Sequence, residues 1–281
     1  MRLLYVDSRP DLLQGLLDLG VGVNELKHRD GHYRVRGRRA RALATAEGDH
    51  LAAMVDEMLT YHASVYLQLT ARMRGAPPGD YLDEHATVIA RSSRMLEPFL
   101  ARFVDTVVRG RGPLRLLEIG CGSGVHVRHA ADGNADVTGV AIDIQPQVAE
   151  RARQNLADWG LADRFTVVHG DIRRPPPEVA GSFDLVTMHQ NVYYFQEDER
   201  VALFERIRAW LQPGGRYVLT SFMRGKTLAS LDFDIALRCT AGCTGLPEVG
   251  ALTAQLKQAG FAKIEPTRLM PLESLYGIIA S

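Results

Sequence analysis

The residues best suited to chemistry begin at Glu118-Ile-Gly120-Cys121-Gly122-Ser-Gly124. An apolar run precedes this stretch and helical spacing follows it. Glycines at such a turn let the backbone approach a ligand with no Cβ in the way, and a helix start adds free N–H donors. Asp143 closes a second apolar run, Val-Thr-Gly-Val-Ala-Ile-Asp143. An acid about 20 residues beyond a glycine loop is placed to accept hydrogen bonds from ribose hydroxyls. A third run ends in Val-Val-His-Gly-Asp171-Ile172. There an acid can accept from an adenine amino group, with Ile144 and Ile172 packing on the ring. In this order and on these strand ends, the acids describe one adenosine-shaped crevice at the carboxyl edge of a sheet. His189 follows a fourth run and is the candidate general base, since an unperturbed imidazole titrates near neutrality. Its other reading is a hydrogen-bonding partner for cofactor or backbone. Tyr193 and Tyr194 follow it, where a substrate is expected to sit.

These positions require a particular set of elements. Strands are expected at 114–119, 137–142, 165–169, 183–188, 216–222, 262–268 and 275–280. Helices are expected at 124–131, 147–158, 198–211 and 249–259. Strand then helix, repeated, implies a doubly wound α/β sheet, and the two closing strands suit an edge hairpin. The break at Gly110–Pro113 divides this part from a mainly helical segment, giving domains 1–112 and 113–281. In the first part, a short helix at 11–19 precedes a hairpin at 23–35 with Asp30-Gly31 at its turn. One long helix is expected at 49–74 with Asp49 as N-cap, and a second at 80–108.

Composition limits the function classes. Of 281 residues, 46% are hydrophobic and 23% charged, as in a folded globular chain. Lys plus Arg and Asp plus Glu are both 33, so no bulk charge attracts nucleic acid or an anionic membrane. No run approaches the roughly 18 apolar residues of a membrane span, and no secretory signal is read at the N-terminus. Three cysteines, Cys121, Cys239 and Cys243, provide no disulfide framework. The expectation is a cytoplasmic protein.

The ordered motifs resemble the class I S-adenosylmethionine-dependent methyltransferases. Glu118-Ile-Gly120-Cys-Gly122-Ser-Gly124, Asp143, Gly170-Asp171-Ile172, Phe183-Asp184-Leu185-Val186 and Leu211-Gln-Pro213-Gly214-Gly215 carry the resemblance, over about residues 113–281. It implies a Rossmann-like, seven-stranded, mostly parallel sheet whose last strand runs antiparallel. It implies S-adenosylmethionine as cofactor and S-adenosylhomocysteine as product. Glu118, Gly120, Cys121, Gly122 and Gly124 would flank its methionine end. Asp143 would hold the ribose, Asp171 and Ile172 the adenine, and the segment from His189 would approach the reacting end. A nicotinamide-dependent dehydrogenase is the near rival. Its fingerprint is G-x-G-x-x-G, whereas this loop reads G-x-G-x-G with His126 after it. The acceptor is expected to be a small organic molecule, probed from the helical segment by Tyr61, His62, Tyr66 and Tyr81 as part of a cap.

The remaining features have weaker readings. Residues 23–37 look like a remnant winged-helix hairpin, and 27–41 hold seven Lys or Arg against one Asp. Nucleic-acid binding or regulation through this wing is the alternative from a different class. A solvated edge or a homodimer contact through the N-terminal segment is favoured over it. His126 and His129 are read as solvated or capping residues. Cys239 and Cys243 are read as buried or pocket residues, because no further metal ligand lies beside them. No metal site is expected.

Overall fold

The computed structural model describes residues 9–179 and 181–281. The chain divides into two compact units, one running to Arg74 and including Asp80–Leu96, the other made of Gly75–Gly79 and Glu97–Ser281.

The first unit is mainly helical. Helix α1 (Pro10–Gly22) leads into the antiparallel hairpin of β1 (Leu26–Arg29) and β2 (His32–Val35). Asp30 and Gly31 both take left-handed backbone at the turn, φ 51° and 72°, which matches the right-handed twist of the flanking strands. Helix α2 (Arg38–Leu43) follows. The expected single helix over 49–74 is three pieces: α3 (Asp49–Glu57), a π-helical turn at Met58–His62, and α4 (Ala63–Met73). Asp49 is not the N-cap. Gly48 takes that position, and the Asp49 carboxylate instead receives two guanidinium hydrogen bonds from Arg91, at 2.6 and 3.1 Å, tying α3 to α5 (Tyr81–Ser92).

The second unit begins earlier than the 113 boundary expected from composition. Helix α6 (Glu97–Val108) buries Leu100, Phe103, Val104, Val107 and Val108, and it packs in one cluster with sheet residues. The Gly-Arg break follows this helix, so it marks a loop inside the unit rather than the edge of one.

The order then runs β3 (Leu114–Ile119), α7 (Val125–Gly133), β4 (Val137–Asp143), α8 (Pro146–Asp158), β5 (Phe165–His169), β6 (Phe183–His189), α9 (Arg200–Trp210), β7 (Leu211–Phe222), α10 (Leu228–Arg238), α11 (Val249–Gln258), β8 (Ile264–Arg268) and β9 (Leu275–Ala280). Helix α10 is not among the helices expected from the sequence. The seven strands line up as β5-β4-β3-β6-β7-β9-β8. All pairings are parallel except those of β9, which runs antiparallel to both β7 and β8. The doubly wound, mostly parallel sheet expected from the sequence is therefore present.

Strand alternation sends side chains to two different cores. Leu117, Ile119, Val186, Met188 and Leu219 join Phe204 and Ile207 of α9 and Leu252 and Leu256 of α11. Leu116, Leu185 and Val218 join Val104 and Val107 of α6 and Val127 and Ala130 of α7. The order reverses between β3 and β4 on one side and β6 on the other, which opens a crevice at the carboxyl ends of these strands.

Candidate active site

At the end of β3 the chain turns into α7 through Gly120, Gly122 and Gly124, with φ 68°, 55° and 82°. Each L side chain in this region costs roughly 1–2 kcal/mol, so the run suits glycine alone. A Cβ on Gly120 would also sit 2.5 Å from the Asn191 amide nitrogen, whereas one on Gly122 would meet nothing within 4 Å. The turn is thus packed on one side and bare on the other.

Three side chains hold it. The Asp143 carboxylate accepts from the backbone N–H of Gly122 and of Gln145, both at 3.0 Å. Asn191 donates to the carbonyls of His189, Gly120 and Ile119 at 2.7, 3.0 and 3.3 Å. Asn155 of α8 donates to the Ser123 carbonyl at 2.8 Å. Asn155 and Asn191 carried no functional signal in the sequence, because a lone Asn has no motif to flag it.

A second cluster at the strand ends is built around Asp171. Its carboxylate accepts from the Arg173 N–H at 2.9 Å. Arg173 in turn makes a two-pronged pair with Glu199, at 2.8 and 3.2 Å, donates to the Tyr194 carbonyl at 2.9 Å and lies over the Phe195 ring. This clip joins the loop after β5 to the loop after β6. Ile144 is 54% exposed and presents an apolar face directly after Asp143. Ile172 does not join it: its side chain is buried in the core with Ile142 and Val179, so the expected second wall of the ring site is absent at that position.

His189 is also not where the general-base reading needs it. It is 4% exposed, because alternation along β6 turns this last strand residue, with Leu185 and Thr187, onto the helix-covered α6–α7 face of the sheet. Its Nδ1 lies 2.8 Å from the Thr220 hydroxyl, and its Nε2 lies 3.7 Å from the Glu118 carboxylate. Burial, with the neighbouring His126 and His129, holds its proton affinity well below the ordinary range, so the ring is neutral and enclosed. His126, read from sequence as solvated, has Nδ1 shut off from solvent and stacks obliquely on His189 at 4.3 Å. Burial pulls its pKa down to about 3. His129 is partly buried and shifted the same way.

Glu118 sits under the glycine turn rather than at its surface. The Thr187 hydroxyl donates to it, as the β3–β6 register of Glu118 beside Thr187 requires. Burial pushes its carboxyl up to about 8. Cys121 is buried within the turn as a small filler, and burial pushes its thiol up.

Tyr193 and Tyr194 meet edge to face at 4.8 Å. Tyr193 continues into Phe233 of α10 at 5.7 Å, and Phe233 into Phe222 at 5.8 Å. Leu237, Leu246 and Cys243 complete this aromatic cluster beside the ends of β6 and β7. Burial pushes the Cys243 thiol up to about 12. Gln190, between His189 and Asn191, is held at φ 55°, with its side-chain oxygen accepting from the Phe222 N–H at 3.2 Å. In the helical unit, Tyr61 and His62 lie on the π-helical turn. Tyr61 packs on His62 at 4.9 Å, on Tyr81 at 5.7 Å and on His85 at 5.8 Å, while Tyr66 is exposed. Buried Glu57 there accepts from Ser92 and lies 3.7 Å from His62 Nε2. No group of three or more His, Cys, Asp or Glu suited to a metal occurs among the described residues.

The raised Glu118 carboxyl makes a test. In the unfolded chain it ionises near its ordinary 4.5, and in the fold near 8. Folding between these values takes up a proton, so the stability Glu118 contributes is full below 4.5 and falls as pH rises to about 8. Wild type and Glu118→Gln should therefore diverge in melting temperature across this window, the variant becoming the more stable. Parallel melting curves from pH 4 to 9, on the scale of ordinary carboxyl titration, would contradict the assignment.

Residues 116–215 match the family described as methyltransferase domain. Among curated proteins, demethylspheroidene O-methyltransferase of Cereibacter sphaeroides is 31% identical over 197 residues, which is 68% of this chain and 49% of that protein. The chain spans 31% to 49% of the length of such curated relatives. Among solved structures, mitomycin 7-O-methyltransferase MmcR superposes with TM-score 0.76 at 18% identity, over 96% of this chain and 83% of that one. The O-methyltransferase NcsB1 from neocarzinostatin biosynthesis, solved with S-adenosylmethionine and 2-hydroxy-5-methyl naphthoic acid, gives 0.72 at 18%, over 96% and 85%. At these identities the two structures speak to fold. The domain match at 116–215, the strand order with β9 reversed, and the glycine turn braced by Asp143 together mark a methyltransferase domain on the class I S-adenosylmethionine-dependent methyltransferase fold.

Proposed function

We propose that this protein transfers a methyl group from S-adenosylmethionine to a small organic acceptor in specialised metabolism, with a hydroxyl oxygen as the receiving atom. The observation that carries the reading is the Asp143 carboxylate, held against the bare side of the Gly122 turn. Each carboxylate oxygen spends one lone pair on a backbone N–H and keeps another for a ribose hydroxyl. Gly120, Cys121, Gly122 and Gly124 shape the methionine end, Ile144 covers one face of the adenine, and Asp171 accepts at its edge. The O-methyltransferase relative from Cereibacter sphaeroides supports the choice of oxygen.

The cofactor supplies an activated methyl on a positively charged sulfur. The chain's own part is alignment of acceptor, methyl and sulfur for in-line displacement. Tyr193 and Tyr194, with Phe222 and Phe233, offer an aromatic wall to a flat acceptor. Tyr61, His62 and Tyr81 are proposed as acceptor contacts from the helical unit. His189 takes no proton in this account, because a neutral ring fixed by Thr220 between sheet and helix has no route to the acceptor. The nucleic-acid alternative finds no support: Arg39 of the basic wing is paired with Glu25 at 2.6 Å, and the relatives described act on small molecules.

We also propose a cytoplasmic homodimer built on the N-terminal segment. Leu12, Leu16 and Leu19 of α1 are 61%, 62% and 62% exposed and share one helical face, an apolar stripe suited to a second copy of the chain.

The function is tested by incubating the protein with methyl-labelled S-adenosylmethionine and a metabolite extract, then identifying the labelled product by mass. In calorimetry, wild type should bind S-adenosylhomocysteine, and Asp143→Ala should bind it more weakly by about 1–3 kcal/mol. Binding of a nicotinamide cofactor in its place would sink the assignment. His189→Gln should keep turnover within roughly threefold of wild type, with the same pH profile, whereas loss of a true general base costs about 10²–10⁴. A drop of that size would restore His189 as the base. By size exclusion with light scattering, wild type should run as a dimer and the triple change of Leu12, Leu16 and Leu19 to Glu as a monomer. A monomeric wild type would remove the dimer from the account.

A further inference from the structure

Under the glycine turn lies a small cavity of ≈ 10 Å³, lined by Glu118, His126, Thr187 and His189 on its polar side. Its remaining walls are apolar and come from Val104 and Val107 of α6, Leu116, Ala130, Leu185 and Val218. Three polar atoms in this lining, Glu118 Oε1, His126 Nδ1 and His189 Nε2, are buried without a hydrogen-bond partner among the described residues. An orphaned buried polar atom costs roughly 1–3 kcal/mol, and three around one cavity would be a heavy cost with no return. The His189 Nε2 to Glu118 Oε2 gap is 3.7 Å, too long for a direct hydrogen bond and short enough for a bridge. The cavity is of the size that holds about one water, and such a site needs two to four polar partners.

We propose that Glu118, His126 and His189 converge on one ordered water molecule, and that this network positions the glycine turn. Two of its corners flank that turn in sequence, and the third reaches it through Asn191. Glu118 is two residues before Gly120, His126 two after Gly124, and His189 two before Asn191, whose amide clasps the Gly120 carbonyl. The network thus ties the end of β3, the first turn of α7 and the end of β6 around one point. Around these three, Thr187 donates to Glu118, Thr220 holds His189 from β7, the His129 ring lies 6.0 Å from that of His126, and α6 lines the cavity only with valines. With Glu118 protonated and both imidazoles neutral, the water sees donors and acceptors but no net charge. The positioning role rests on the cofactor reading given above, and the network itself does not.

The test compares Glu118→Gln with Glu118→Leu. Both are uncharged and similar in size, so neither pays for proton uptake on folding. A water-centred network needs a polar group at this corner. Without ligand at pH 7, the Gln variant should then melt higher than the Leu variant by roughly 3–8 °C. Calorimetry with S-adenosylhomocysteine should show binding roughly tenfold weaker for Leu than for Gln, the size of one lost hydrogen bond. A crystal structure of the wild type should place one water within reach of all three side chains. If the Leu variant melts at or above the Gln variant, the cavity is an apolar core and the network is wrong. If the two bind S-adenosylhomocysteine equally, the positioning role is wrong. Should the position 118 variants fail to fold, His126→Gln against His126→Leu is read in the same way. A wild type that binds no S-adenosylhomocysteine would remove the cofactor reading, while the melting comparison would still decide the network.

Discussion

The turn between β3 and α7 has to put three residues within five positions into left-handed backbone, at Gly120, Gly122 and Gly124. The rest of the candidate site depends on that constraint. Three L side chains there would store several kcal/mol of strain, at roughly 1–2 kcal/mol each, a large part of a domain's net stability. Glycine removes the strain but leaves a turn that must be held by other means. Asp143 holds it from β4, Asn155 from α8 and Asn191 from beyond β6. The same Asp143 that braces the loop is the proposed ribose acceptor, so binding and scaffold share one carboxylate.

Below this turn the sheet carries an unusual load. A parallel sheet covered on both faces normally presents continuous apolar strands. Here Glu118, Thr187, His189 and Thr220 interrupt that pattern on the α6–α7 face at the carboxyl ends of three adjacent strands. Register explains their meeting: Glu118 lies beside Thr187, and His189 beside Thr220. The polar residues are thus gathered at one level, just under the glycine turn. Arg173 does corresponding work on the other side of the crevice, joining the loops after β5 and β6 through Glu199 and the Tyr194 carbonyl.

Much of this was legible in the residues. Apolar runs located all seven strands of the large sheet, and the glycine spacing marked the turn between β3 and α7 that Asp143 braces. The errors have specific physical origins. His189 was assigned to the edge because it ends a strand, yet its separation from Leu185 by four residues already put it on a helix-covered face. Ile172 and Ile144 both follow strand-end acids, but only Ile144 is left outside the core. The clasps Asn155, Asn191 and Arg173 were invisible, because each reaches across the fold to a carbonyl or carboxylate distant in sequence. The π-helical turn at Met58–His62 departs from ordinary helical hydrogen bonding without a proline or glycine to announce it. Helix α6 was assigned to the wrong unit because composition changes after it, whereas its apolar face packs on the sheet.

The central claim is that the crevice above Gly120, Gly122 and Asp143 holds the adenosyl cofactor. A crystal structure of the full chain with S-adenosylhomocysteine tests it most directly. The account predicts ribose hydroxyls on the Asp143 carboxylate, the adenine against Ile144 with its amino group toward Asp171, and the homocysteine along the bare side of the glycine turn. Bound ligand at any other edge of the sheet, or a ribose that leaves Asp143 untouched, would contradict it.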